Sequence, residues 1–87
     1  MLRSNRSAAH AKLMQFHAAL ADADVAVALR PDWGKGHGRR GAALLGLRDW
    51  ARAQTAFRNG LLHDSSSSNL KQGLQEALEA EAKAGTA

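Results

Sequence analysis

The sequence resembles itself when it is shifted by 34 residues, and this internal repeat limits what the chain can fold into. Small residues fall on small residues and an aromatic falls on an aromatic, in the pairs Ser7 and Gly41, Ala9 and Ala43, Phe16 and Trp50, Ala19 and Ala53, and Ala26 and Gly60. Pro31 falls on Ser65, so the interruptions of the pattern coincide as well. Small residues at such positions allow two helices to approach closely. A unit of this length cannot bury its own apolar face, so it must stack on neighbouring units.

The chain is helical in pattern throughout. Alanine is abundant, β-branched residues are scarce and no strand-like alternation persists. We expect an all-α fold of antiparallel helix-turn-helix repeats with about five helices, at residues 3–14, 17–29, 33–46, 49–63 and 69–83. Together they form a single partial domain over residues 1–87, with one repeat at 3–31, another at 32–64, a capping helix at 68–83 and a tail at 84–87.

Breaking and capping residues predict where the helices end. Pro31 ends the second helix. Asp32 and Asp49 each stand where an N-cap is wanted, just before a new periodic segment. The run "HDSSSSN" interrupts the pattern again, and Ser68 or Asn69 is expected to cap the last helix.

Glycine is unusually frequent in the third predicted helix, at positions 36, 38, 41 and 46. Each glycine costs about 0.8–1 kcal/mol relative to alanine inside a helix. Alanine at Gly38 or Gly41 is therefore expected to raise helicity, although the small size of Gly41 also suits close packing.

Length and charge narrow the function. Eighty-seven residues allow one small domain with a marginal core. Residues 1–63 hold ten Lys/Arg against four Asp, whereas residues 64–87 hold two Lys against four acidic residues. The basic part favours an anionic partner. The absence of cysteine and of a signal peptide fits a reducing compartment, and we expect the cytoplasm.

Three segments together carry a family resemblance. "SNRSAAHAKL", "LRPDWGKGHGRRGAAL" and "NLKQGLQEA" resemble the second repeat, the third repeat and the capping helix of the tetratricopeptide-repeat domains of the Hsp-organising co-chaperones (the Hop family). The resemblance covers about residues 4–80. It implies helical hairpins stacked into a right-handed superhelix, and an adaptor that binds the C-terminal Glu-Glu-Val-Asp tail of heat-shock chaperones of the 70-kDa or 90-kDa class.

The resemblance also implies a binding site, a dicarboxylate clamp formed by Asn5, Lys35 and Arg39. The spacing of these residues agrees with it. Lys35 and Arg39 are four residues apart and share one helix face, and Asn5 precedes Arg39 by one repeat length. Arg grips a carboxylate through two hydrogen bonds, Lys supplies a point charge and Asn donates from its amide.

The match to the family is incomplete at the N-terminal side. The family clamp also uses a Lys and an Asn from a first repeat, and this chain begins within the second, so three of five clamp positions are present. We expect a fragment or a truncated product that self-associates through its exposed N-terminal face or is partly unfolded.

Other functions compete with the adaptor. One alternative is a structural repeat fragment that binds no tail. Another is a basic RNA-binding element, although stacking aromatics are not interleaved with the basic residues. Arg40, Arg48, Arg52 and Arg58 are expected to be solvated surface charges. An enzyme is not expected, because no nucleophile–base or carboxylate pair has sensible spacing. No metal or cofactor is expected either: the histidines at 10, 17, 37 and 63 include no pair four residues apart, and cysteine is absent.

Overall fold

Helices account for nearly all of the chain. The computed structural model describes the backbone of residues 2–86 and the side chains of residues 12–85. The helices are α1 (Leu2–Leu29), α2 (Gly34–Gly46), α3 (Trp50–His63) and α4 (Ser68–Thr86), and no strand occurs in the described backbone. The predicted all-α fold of packed helical hairpins is confirmed. Over the described residues, none of the helices is both long enough and apolar enough to cross a bilayer.

The prediction of five helices was wrong at one place, because residues 3–14 and 17–29 form the single helix α1. The turn that separates α2 from α3 contains Gly46, Arg48 and Asp49, which end one helix and cap the next. The residues 34 positions earlier are Lys12, Met14 and Gln15. These are good helix formers, and none is a preferred N-cap. Nothing in this segment therefore stops the helix.

The turn between α2 and α3 is a Schellman motif. Arg48 has a φ of 62°, in the left-handed region. Its N–H donates to the carbonyl of Leu45 at 3.0 Å, and the N–H of Asp49 donates to the carbonyl of Leu44 at 2.9 Å. These two bonds satisfy carbonyls at the end of α2. The predicted N-cap Asp49 is confirmed, because its side chain accepts a hydrogen bond from the N–H of Arg52 at 3.3 Å.

The other two predicted caps were wrong by one or two residues. Trp33, not Asp32, is the N-cap of α2, and its side chain makes no capping hydrogen bond. At α4 the capping oxygen belongs to Ser67, which accepts from the N–H of Leu70 at 3.3 Å, rather than to Ser68 or Asn69. Helix α4 also continues through Thr86, over residues for which a tail was expected. Alanine and lysine near its end favour this extension.

The core lies between α2, α3 and α4. Its buried members are Leu44, Ala53, Ala56, Phe57, Leu70 and Ala77. The ring of Phe57 occupies a space that a Cβ would enter from Gly41 on α2 and from Gly73 on α4. Both glycines are therefore required by close approach, because a larger residue would push its helix off the ring. Helix α2 packs on α1, α3 and α4, whereas α1 packs only on α2 among the described residues.

Candidate peptide-binding groove

A groove runs between α2 and α4, with Phe57 of α3 at its floor. Its cavity has a volume of about 430 Å³. Helix α2 contributes Lys35, Gly38, Arg39, Ala42 and Leu45, and α4 contributes Asn69, Leu70, Gln72, Gly73 and Glu76. Asp64 and Ser67, which lie between α3 and α4, complete the lining. A cavity of this size accommodates a few residues of a peptide rather than a long segment.

The structure brings two of the three predicted clamp residues to one wall of this groove. Lys35 and Arg39 lie on successive turns of α2, and both are exposed. Neither forms an ion pair with any carboxylate among the described side chains. Two cations that are free of protein counter-ions can therefore receive an anionic ligand. The third residue, Asn5, lies outside the residues whose side chains are described.

Trp33 holds the guanidinium of Arg39. The Cζ atom of Arg39 lies 5.1 Å from the centroid of the Trp33 ring, and the Cζ of Arg30 lies 5.4 Å from it. Such cation–π contacts contribute about 0.5–1 kcal/mol at exposed sites. The contact limits the rotamers of Arg39 beside the groove. The sequence pattern does not reveal this contact, because Trp33 and Arg39 are six residues apart and lie across the start of a helix.

The opposite wall is acidic and amidic, which the sequence interpretation did not include. Asp64 and Glu76 line the same cavity as the two cations. The Nε2 of Gln72 donates to Oε1 of Glu76 at 3.4 Å. The spacing of Asn69, Gln72 and Glu76 along α4 places them on one face and could have been recognised in the sequence. The groove therefore presents positive charge on α2 and negative charge toward α4.

Two of the four arginines expected to be solvated lie beside a carboxylate: Arg52 is 3.5 Å from Asp49 at the exposed start of α3, and Arg40 joins two helices. The Nε of Arg40 donates to Oδ1 of Asp24 at 2.8 Å, which joins α2 to α1. The Arg40 side chain is 26% exposed, so the pair is partly shielded from water. Arg48, Arg52 and Arg58 are exposed as expected. The basic surface is thus smaller than the sequence suggests, and Lys35 with Arg39 is the part of it that faces a cavity.

His37 and His63 make packing and hydrogen-bond contacts that connect helices. His37 is buried, and its Nε2 lies 2.7 Å from the carbonyl oxygen of Pro31. Its ring stacks on that of His63, with centroids 5.7 Å apart. These contacts attach the start of α2 to the end of α3 and to Pro31, which lies in the loop that precedes α2. Within residues 12–85, no three His, Asp or Glu side chains are placed to hold a metal.

Known proteins resemble this chain over most of its length. The Hsp70-Hsp90 organizing protein of Triticum aestivum is 51% identical over 82 residues, which are 94% of this chain and 14% of that protein. The sti1 heat shock protein homolog of Schizosaccharomyces pombe is 44% identical over 87 residues, or 98% of this chain and 15% of that protein. The chain is therefore similar to one segment of the Hsp70-Hsp90 organizing proteins.

The chain spans only about a seventh of the length of those two relatives. Tetratricopeptide repeat protein 28 of Mus musculus is also similar, with 47% identity over 77 residues that make up 88% of this chain and 3% of that protein. Searched against protein-family models, the chain matches none. The similarity thus corresponds to one repeat-containing segment of larger proteins.

Proposed function

We propose that this chain is a co-chaperone adaptor module that binds the C-terminal Glu-Glu-Val-Asp tail of heat-shock chaperones of the 70-kDa or 90-kDa class. The observation that supports it most is the placement of Lys35 and Arg39 one helical turn apart on the wall of a groove of peptide dimensions, with no ion-pair partner for either among the described side chains. The similarity to an Hsp70-Hsp90 organizing protein agrees with this partner. Such an adaptor would act in the cytoplasm.

The two ends of the proposed ligand match different parts of the groove. The terminal Asp carries a main-chain and a side-chain carboxylate, and Lys35 and Arg39 offer one cation to each. The adjacent Val is apolar and would pack over Ala42 and Leu45, which line the cavity beside Arg39. The upstream glutamates must point away from Glu76, because like charges at close range repel. The proposed clamp also includes Asn5.

Titration of the chain with a Glu-Glu-Val-Asp peptide, followed by calorimetry or NMR, tests this proposal. Arg39→Ala and Lys35→Glu should each weaken binding by about tenfold or more, since a hydrogen bond to a charged group contributes about 1.5–3 kcal/mol. Arg58→Ala is the matched control, because Arg58 is an exposed cation of α3 outside the groove. If Arg58→Ala weakens binding as much as Arg39→Ala, the clamp assignment is wrong.

Amidation of the peptide separates tail recognition from general attraction to anions. Removing the terminal charge should abolish binding to a clamp, whereas an RNA-binding surface would bind nucleic acid with an affinity that falls steeply with salt. A chain that binds neither ligand would be a structural repeat segment. Self-association through the N-terminal face stays a prediction and does not depend on the tail.

A further inference from the structure

No described side chain covers one face of α1, although the equivalent face of α3 is packed. Ala53 of α3 has no exposed surface and Gly60 is buried, and a Cβ on Gly60 would meet Leu70 of α4 at 3.0 Å and His37 of α2 at 3.1 Å. Their counterparts 34 residues earlier are Ala19, which is exposed, and Ala26, which is half-buried. The internal repeat therefore requires a helix over α1 that corresponds to α2 over α3.

A second cavity lies on this open face of α1, where a covering helix would pack. It has a volume of about 410 Å³ and is lined by Phe16, Ala19, Asp22, Ala23 and Ala26 of α1, together with Arg39, Ala42 and Ala43 of α2. Most of these residues are small or apolar, as at a helix–helix contact. Asp22 is exposed and has no ion-pair partner among the described residues.

The chain cannot cover this face with its own residues while α1 stays continuous. In the repeat alignment the covering segment is residues 2–12, which correspond to residues 36–46 of α2. These residues belong to the same helix as the face itself. A helix of 28 residues is about 42 Å long and cannot fold back on itself. The molecule has a longest extent of 45 Å, which agrees with a projecting helix.

We propose that two copies of this chain exchange the N-terminal halves of α1, so that residues 2–12 of each copy cover the open face of the other. The two α1 helices would run antiparallel and cross near Met14 about a two-fold axis. Residues 2–12 have the small residues that this contact requires, since Ser7 and Ala9 stand where α2 has Gly41 and Ala43. Leu13 and Met14, which are 47% and 61% exposed, would meet at the crossing.

Charge complementarity supports the second copy as the occupant. The N-terminal half of α1 carries Arg3, Arg6 and Lys12, whereas its C-terminal half carries Asp22 and also Asp24, which pairs with Arg40. Antiparallel exchange brings the basic half of one helix against the acidic half of the other. A parallel pair would instead align like charges. The sequence of α1 therefore favours the antiparallel arrangement.

The exchange has a consequence for the clamp, and this consequence rests on the proposed function. Asn5 corresponds to Arg39 in the repeat, and Arg39 lines both cavities. Asn5 of the second copy would therefore lie beside Arg39 of the first. Each clamp would be completed by two chains.

A disulfide between two singly substituted chains tests the exchange. In the α2–α3 hairpin, a Cβ on Gly60 would lie 3.1 Å from the Cβ of His37, close to the separation of about 3.5–4.5 Å in disulfides. The corresponding pair in α1 is Ala26 and Arg3, and the chain has no cysteine of its own. Arg3→Cys and Ala26→Cys chains, unfolded together, refolded and oxidised, should form a covalent heterodimer on a non-reducing gel. Absence of that heterodimer would overturn the proposal.

Restoring the turn provides a second measurement that does not depend on cysteine. The double substitution Met14→Gly and Gln15→Asp places a glycine and an N-cap where the second repeat has Arg48 and Asp49. In sedimentation equilibrium this variant should be a monomer and the unmodified chain a dimer. Arg48→Gly, which alters only the other turn, should stay dimeric. An unmodified chain that is monomeric at about 100 μM, well above the Kd of a stable exchanged dimer, would contradict the exchange.

Complementation separates failure of the exchange from failure of the proposed function. A refolded mixture of Asn5→Ala and Arg39→Ala chains should bind more Glu-Glu-Val-Asp peptide than either variant alone, because one clamp of each mixed dimer is intact. If the covalent heterodimer forms but mixing restores no binding, the exchange holds and the three-residue clamp is wrong.

Discussion

Replacing Gly41 with alanine should destabilise the chain even though it removes a glycine from a helix. The new Cβ would lie 2.7–2.8 Å from three atoms of the Phe57 ring, whereas carbon atoms in contact prefer about 3.5–4.0 Å. The ring would have to move by roughly 1 Å. It is only 4% exposed, and Gly73 of α4 lies against it, so the ring is held between two helices that approach it at their glycines.

The magnitude follows from two opposing terms. Overpacking of this kind costs about 1–3 kcal/mol, and alanine in place of glycine returns about 0.8–1 kcal/mol of helix propensity. The net loss in free energy of unfolding should be about 1 kcal/mol, which corresponds to about 4–8 °C in Tm for a domain of this size. The structure thus predicts the opposite sign from the sequence pattern.

Gly38→Ala is the matched control for this measurement. It lies in the same helix and gains the same propensity, but its Cβ would meet a single methyl group of Leu70 at 3.0 Å. We expect it to be close to neutral. Thermal and urea unfolding followed by circular dichroism compare the two variants, and Phe57→Leu as a second-site change should make Gly41→Ala less harmful. If Gly41→Ala is as stable as Gly38→Ala, the ring is not confined between the two helices.

Three further perturbations test other contacts. Arg48→Gly should raise the free energy of unfolding by about 1 kcal/mol, because a non-glycine residue with a φ of 62° is strained; an unchanged urea midpoint would argue against this. Trp33→Leu should weaken binding of the tail peptide by about two- to fivefold in a titration, because the cation–π contact with Arg39 is lost. An unaltered affinity would mean that Trp33 does not position Arg39. Asp24→Asn should cost less than about 1 kcal/mol, since the ion pair is partly solvated, and in an Arg40→Gln background that cost should vanish.

The parts of the fold that depend on local chemistry could be predicted from the sequence. Pro31 ends α1 and Asp49 caps α3, because each acts on the backbone within a few residues. The shared face of Lys35 and Arg39 follows from helix geometry alone. These predictions needed no knowledge of how the helices cross.

The predictions that failed depended on features that the repeat does not encode. Small and aromatic positions recur after 34 residues, but the residues that make a turn do not. The first repeat has Gln15 at the position where the second repeat has the N-cap Asp49. The helix therefore continues where the repeat predicts a break. The acidic wall at Glu76 depends on the angle at which α4 crosses α2, and the contact of Arg39 with Trp33 depends on side-chain packing. Neither is a periodic signal.

The ring of Phe57 also sets the aperture of the groove. Helices α2 and α4 close on its two sides at glycines, so the gap between the basic and acidic walls is fixed by the bulk of one aromatic side chain. A smaller residue there would let the walls collapse together, and a larger one would spread them. The same side chain thus affects both the size of ligand that the groove admits and the stability of the fold. A substitution at Phe57 that changes one of these properties should also change the other.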